Sequence, residues 1–192
     1  MDKYLIKKNG SSLSKRSKVT KDDPEVKDQD AEEDEEELDQ PTASKRLKTT
    51  SFNLKEVKGD LFAASQSESL AHCISADVRM GKGIAKIFKE KFGGVKDLQA
   101  QGVKPGGVAV LKRGPRFIYY MVTKEKYWNK PTYKCLQDSL QSMANHCKRN
   151  GVKTLSMPRI GCGLDGLRWD QVKQHISESF QDLDITVTIN TI

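Results

Sequence analysis

The chain predicts an α/β fold in which a mixed central sheet is sandwiched between helices. Three observations carry this reading. Short runs rich in β-branched and aromatic residues alternate with longer segments of helical period. One pair of strand-like runs is separated only by the turn Arg113-Gly-Pro-Arg116, which reads as a hairpin. Two Gly-x-Gly elements each follow an apolar run. Alternating strands and helices favour parallel pairing, and the hairpin adds one antiparallel pair, so the sheet should be mixed, with helices on both faces.

The elements follow in order. Residues 1–50 hold 11 Lys+Arg and 13 Asp+Glu and so carry −2, which puts +9 on the remainder of a chain whose net charge is +7. This first segment has few large apolar residues. It cannot bury enough surface to offset chain entropy, so a disordered N-terminal tail is expected, followed by one domain over residues 51–192. Strands are expected at Lys55–Lys58, Ser69–Ser75, Val108–Lys112, Phe117–Thr123, Thr154–Met157 and Ile185–Ile189, from their composition and flanking Gly and Pro. Helices are expected at Gly83–Phe92, with Ile84, Ile87, Phe88 and Phe92 as the apolar row, at Thr132–Lys148 and at Asp170–Phe180. Leu136, Leu140, Met143 and Cys147 share one face of the second helix and read as core.

Composition excludes several classes. No run approaches the roughly 18 apolar residues of a membrane span, and no N-terminal apolar segment reads as a signal peptide. Cys73, Cys135, Cys147 and Cys162 are scattered without a CxxC pair and read as reduced, mostly buried thiols. His72, His146 and His175 lack metal-ligand spacing, and the domain has no acidic cluster suited to Mg²⁺ or Ca²⁺, so no metal and no cofactor is expected. Within the tail, Asp28–Asp39 is an acidic run, while Lys15–Lys18 and Lys45–Lys48 are basic clusters. The clusters read either as solvated tail or as nuclear import signals, which points to the nucleus with the cytoplasm also open.

The densest chemistry lies in Leu155-Ser-Met-Pro-Arg-Ile-Gly-Cys-Gly-Leu-Asp165. Gly161 and Gly163 let the backbone approach a ligand closely, and successive N–H groups in such a turn form an anion nest. Asp165 then stands at the rim, where a carboxylate suits a neutral part of the ligand such as a sugar. The plainer reading is a tight strand-to-helix turn with Asp165 as the helix N-cap. Gly81 and Gly83 in Arg79-Met-Gly-Lys-Gly-Ile-Ala85 precede a helix, where free N–H groups and the helix dipole accept a phosphate. Neither element has Walker or Rossmann spacing. Together they fit a diphosphate clamped from two sides. Cys162 reads as a small residue suited to its turn rather than as a nucleophile, and Lys124, taken alone, as a solvated strand-end lysine.

Val57-Lys-Gly-Asp-Leu-Phe62, His72-Cys-Ile-Ser75, Met80-Gly-Lys-Gly-Ile-Ala85, Lys91-Phe-Gly-Gly94 and Pro158-Arg-Ile-Gly-Cys-Gly-Leu-Asp165 together resemble the macrodomain family. The match is to its terminal ADP-ribose protein glycohydrolase branch, the ALC1-like macrodomain class, and covers residues 52–192. The resemblance implies that Lys124 attacks the distal ribose and Asp165 assists as proton acceptor, with direct activation of water by Asp165 as the competing route. Only a neutral amine attacks: desolvation favours that form, and a close carboxylate opposes it. Asp165 therefore reads as a proton acceptor and shuttle rather than as a permanent ion-pair partner. Glu125 stands where the family pattern suggests a basic residue.

The resemblance further implies that Asp60 and Leu61 receive the adenine, Ser75 faces the ligand, Arg159, Ile160, Gly161, Cys162, Gly163 and Leu164 wrap the pyrophosphate and distal ribose, and Ile192 lines the adenosine side. Alone, Asp60 would be a turn residue, Ser75 a cap and Ile192 a frayed end. The implied activity is removal of mono-ADP-ribose from Asp and Glu side chains, with O-acetyl-ADP-ribose as a second substrate. The implied partners are ADP-ribosylated proteins, ADP-ribose and poly-ADP-ribose. A reader module that binds without turnover, and a nucleic-acid-binding domain suggested by the +9 charge, are the rival readings. Lys3-Tyr-Leu-Ile-Lys7 resembles the short motif that binds the replication sliding clamp.

Overall fold

The computed structural model describes residues 50–191. The acidic run, both basic clusters, the Lys3–Lys7 segment and Ile192 lie outside the described residues. The strands are β1 (Phe52–Lys58), β2 (Ser69–Ser75), β3 (Val108–Arg113), β4 (Arg116–Lys124), β5 (Thr154–Pro158) and β6 (Ile185–Thr191). They form one sheet in the order β1-β6-β5-β2-β4-β3. Every pairing is parallel except the β3–β4 hairpin. The mixed sheet with one antiparallel edge is therefore as expected.

Strand β4 shows how the sheet is gripped from both sides. Its side chains alternate, as a strand's period of two requires. Tyr119 and Met121 enter one core with Leu136, Leu140, Met143 and Cys147 of α3 (Tyr133–Arg149) and with Val172, Ile176 and Phe180 of α4 (Trp169–Phe180). Ile118, Tyr120 and Val122 enter the other, with Phe88 of α1 (Gly83–Phe92) and Leu98 of α2 (Val95–Ala100). Helix α3 starts where Thr132 caps it, its hydroxyl oxygen accepting from the Cys135 N–H at 3.1 Å.

Three details differ from the sequence reading. Strand β1 begins at Phe52, three residues early, because Phe52 and Leu54 pack on the core while Asn53 between them and Lys55, Glu56 and Lys58 after them are exposed. Helix α2 was not expected: it has six residues and buries only Leu98. Ile87, placed in the apolar row of α1, is 40% exposed. The Gly93-Gly94 break between α1 and α2 has a steric cause. Gly94 sits at φ +68°, and a Cβ there would lie 2.6 Å from both Arg113 Nη2 and Leu111 Cδ1. Arg113 uses that space to donate two hydrogen bonds to the Phe92 carbonyl, at 3.1 and 3.0 Å, which ties the end of α1 to β3.

His72 is structural, as its strand pattern suggested. It is fully buried on β2, stacked on Phe88 at 3.9 Å and edge-on to Tyr120. Its Nδ1 donates to the Cys73 carbonyl at 3.1 Å, and Nε2 has no protein partner. Burial drives its pKa down to about 3, so the ring is neutral at physiological pH. Among the described residues no helix is long and apolar enough to cross a membrane.

Candidate active site

Strands β5, β2 and β4 lie side by side and parallel, so Pro158, Ser75 and Lys124 end at the same edge of the sheet. Carboxyl ends of parallel strands are where α/β folds place ligands, and a cavity of about 530 Å³ opens there. The β2–β4 ladder is irregular at its end: Ile74 pairs with Val122, but Ser75 pairs with Lys124, so Thr123 is an extra residue in the bulged strand. A bulge of this kind re-aims the following side chain. Here that side chain is Lys124, which reaches Asp165.

The Lys124 ammonium donates to Asp165 Oδ1, and the pair is largely withdrawn from water, with side-chain exposures of 15% and 14%. Forty-one residues separate the partners. Asp165 is not a helix cap, since α4 starts after Arg168. The two groups form an ion pair, and any proton transfer between them starts from it. Cys73 also lines the cavity, and its thiol is pushed up to about 12, first by burial and next by the Asp165 carboxylate.

Both glycine elements border the same cavity. Gly161 adopts φ +71°, and its carbonyl accepts from the Leu167 N–H at 2.8 Å, folding the segment back on itself. Gly83 opens α1 at φ +58°, and a Cβ placed on it would lie 3.8 Å from Leu164 Cδ1, so the two loops face each other. Helix α1 has no side-chain cap at Lys82, which leaves its first N–H groups for a ligand. Between β2 and α1, Val78 and Met80 are both buried and both left-handed, at φ 50° and 44°. That conformation costs a non-glycine residue about 1–2 kcal/mol, and such strain concentrates at ligand sites.

The structure brings Ser75, Gly81, Gly83, Lys124, Arg159, Ile160, Gly161, Gly163, Leu164 and Asp165 around the cavity. Arg159 contributes without its charge: its guanidinium pairs with Glu56 at 3.0 Å and lies over the Trp169 ring. Cys162 does not line the cavity. It packs toward the core, donates its thiol to the Ile160 carbonyl at 3.4 Å, and has its pKa raised by burial. Leu61 is buried in the core beneath α1, and Asp60 is exposed beside it, its Oδ1 accepting from the Phe62 N–H at 2.9 Å. Neither borders this cavity.

Asp77, which stands behind the lining residue Ser75, and the lining residues Tyr127, Trp128 and Lys130 carry no assignment from the sequence. Ser75 donates to Asp77 Oδ1 at 2.5 Å, and Asp77 also accepts from the backbone N–H groups of Arg79 and Tyr127. Burial works to raise the Asp77 pKa, but the bonds from Ser75, Tyr127 and Arg79 outweigh it and hold the carboxyl below the usual range. Asp77 thus joins the loop after β2 to the loop after β4. Tyr127, Trp128 and Lys130 complete the wall. The available signal was Tyr127-Trp128 itself, two large aromatics inside the charged run Lys124–Lys130. Among the described residues, no His, Cys, Asp and Glu side chains are grouped to hold a metal ion.

A parallel-ended cavity floored by a Lys–Asp pair and flanked by two glycine loops defines a class. Residues 71–176 match the Macro domain, and the chain belongs to that family. It is 58% identical over 136 residues to the human ADP-ribose glycohydrolase OARD1, covering 71% of this chain and 90% of that protein. Among solved structures, the macrodomain of Thermus aquaticus DarG superposes with a TM-score of 0.67 at 26% identity, covering 74% of this chain and all 100% of the other. Thermosipho africanus DarTG in complex with ADP-ribose gives 0.64 at 26% identity, covering 72% of this chain and 41% of that one.

Proposed function

We propose that this protein is an ADP-ribose glycohydrolase of the ALC1-like branch, which removes mono-ADP-ribose from Asp and Glu side chains and also deacylates O-acetyl-ADP-ribose. The observation that carries the reading is the Lys124–Asp165 pair on the floor of the cavity. A module that only reads ADP-ribose needs the glycine loops but has no use for this pair. The similarity to human OARD1 supports the same assignment.

The chemistry runs from the ion pair. Asp165 takes a proton from the Lys124 ammonium, freeing the nitrogen lone pair. That lone pair forms a bond to the anomeric carbon of the distal ribose as the bond from this carbon to the ester oxygen breaks, and the protein side chain leaves as a carboxylate. Water then adds to the same carbon and displaces the amine; one proton of that water returns to Lys124 as the ammonium and Asp165 gives up its proton to solvent, which restores the ion pair and releases ADP-ribose. The N–H groups of Gly81 and Gly83 and of the Arg159–Leu164 turn take the pyrophosphate. Asp60 and Leu61 stand outside this cavity, and it is the family resemblance alone that assigns them, with Ile192, to the adenosine end of the ligand.

The test is incubation of the chain with Glu-linked ADP-ribosylated protein and measurement of free ADP-ribose. Release by the native chain and none by Lys124→Ala supports the reading. Binding of ADP-ribose without release makes the protein a reader. In this proposal residues 51–192 are the catalytic unit, and a chain beginning at Ser51 retains activity. The basic clusters direct the protein to the nucleus, and Lys3–Lys7 binds the sliding clamp.

A further inference from the structure

The described residues expose five large apolar side chains, and three of them, Tyr127, Trp128 and Leu164, border the one cavity that holds Lys124 and Asp165. Trp128 is 64% exposed and Leu164 is 74% exposed. Leaving such surface in water is unfavourable, and its concentration at one mouth marks a contact surface. The surface is also held in place. The Tyr127 N–H is fixed by Asp77 at 3.2 Å, and the turn beneath is closed by Asn129, whose side-chain oxygen accepts from the Lys126 N–H at 2.9 Å. Lys130 Nζ donates to the Leu164 carbonyl at 2.7 Å, which joins the two sides of the mouth. The Arg79 guanidinium lies 4.0 Å from the centroid of the Tyr127 ring.

We infer that Arg79, Tyr127, Trp128 and Leu164 form a docking surface for the modified protein itself, a segment with acidic residues flanking its ADP-ribosylated Asp or Glu. This rests on the glycohydrolase reading, which places the bond to be broken at Lys124, three residues before Tyr127. The group leaving that bond therefore departs beside this surface. Tyr, Trp and Arg are the side chains that carry most of the energy in protein–protein contacts. Lys82 and Lys130 line the same cavity and Lys126 is the exposed residue before Tyr127, with Glu125 as the nearby acidic exception, and their charge complements an acidic segment. The ring geometry favours a peptide over nucleic acid. Tyr127 and Trp128 meet edge-to-face at 86°, and Arg79 covers one face of Tyr127, so the pair forms a notch rather than the successive open faces on which bases stack.

The experiment compares ligands on the full chain carrying Lys124→Ala, so that binding is read without turnover. One ligand is free ADP-ribose. The other is a synthetic peptide bearing a single Glu-linked ADP-ribose between Asp and Glu residues. The peptide is expected to bind about tenfold more tightly than ADP-ribose, a gain removed by adding Trp128→Ala and reduced by raising the salt concentration. Equal affinity for the two ligands, or a gain that survives Trp128→Ala, overturns the docking surface and leaves the glycohydrolase reading standing. Failure to bind ADP-ribose at all overturns both. If a single-stranded oligonucleotide, and not the unmodified acidic peptide, competes for the Trp128-dependent gain, the surface serves nucleic acid and the inference is wrong.

Discussion

Replacing Gly161 by alanine tests how the second glycine loop is built. Gly161 sits at φ +71°, where a residue with a Cβ is strained by about 1–2 kcal/mol. The new Cβ would stand 2.8 Å from Leu167 Cδ1, with Cγ at 3.4 Å and Cβ at 3.6 Å. The closest of these is the end of a flexible side chain, so Leu167 can swing away, and the contact adds only a fraction of a cavity-scale penalty. The sum is about 2 kcal/mol, which in a domain of this size lowers Tm by roughly 4–8 °C. Two residues on, Gly163 has no left-handed φ, and a Cβ there meets nothing within 4 Å. Gly163→Ala should therefore change stability by no more than about 0.5 kcal/mol. Thermal unfolding of both variants beside the native chain reads the difference. Equal melting of Gly161→Ala and Gly163→Ala would refute the assignment of strain to the first glycine. If Gly163→Ala melts normally but binds ADP-ribose more weakly, the ligand backbone contact lies at Gly163.

Three further outcomes follow from the same structure. Lys124→Ala and Asp165→Ala should each abolish ADP-ribose release. Each should also lower stability by about 1–3 kcal/mol, because each leaves a largely buried charge without its partner; urea titration of the double variant should recover part of that loss, and strict additivity would argue against the pair. His72 has a folded pKa of about 3, below its unfolded value of about 6.5. The unfolded chain therefore binds the extra proton between these limits, so the stabilising contribution is complete above pH 6.5 and is lost as pH falls toward 3, by at most about 1.4 kcal/mol per pH unit. Denaturation between pH 4 and 7 should show this slope, and His72→Leu should flatten it; an unchanged acid limb would count against the buried neutral ring. The Cys73 and Cys147 thiols, pushed up to about 12 and about 11 chiefly by burial, should resist alkylation at pH 8 until the protein is denatured, as followed by mass spectrometry.

How much of this was legible in the sequence depended on the range of the interactions. Helix α3 could be read because Leu136, Leu140, Met143 and Cys147 repeat with the helical period and all become buried. The hairpin could be read because Gly114-Pro115 leaves no room for a crossover. Helix α2 could not, since one buried residue in six makes no pattern. At the site, the glycine loops and Asp165 stand out by composition, whereas Lys124 differs from the other lysines only through the macrodomain resemblance. Its aim comes from a bulge at Thr123, and nothing local in Met121-Val-Thr-Lys124 encodes that extra residue. Asp77 is hidden for a related reason: two of its three hydrogen bonds are local, and the one that ties it to the site comes from Tyr127, fifty residues on.

The strand order has a consequence for synthesis. Strand β1 is the first of the six to be made, yet in the sheet it pairs only with β6, the last. Parallel neighbours cannot close through a short turn, so β1 must remain unpaired while more than a hundred residues are translated behind it. During that interval its outward-facing Lys55, Glu56 and Lys58 are an asset, because charged side chains discourage a lone strand from pairing with another chain. Strand β5 likewise needs β6 at its side, and the turn carrying Asp165 follows β5 directly. Nascent chains lacking residues 185–191 therefore have β1 unpaired and the loop after β5 without its supporting neighbour, so catalytic competence arrives only with the final strand.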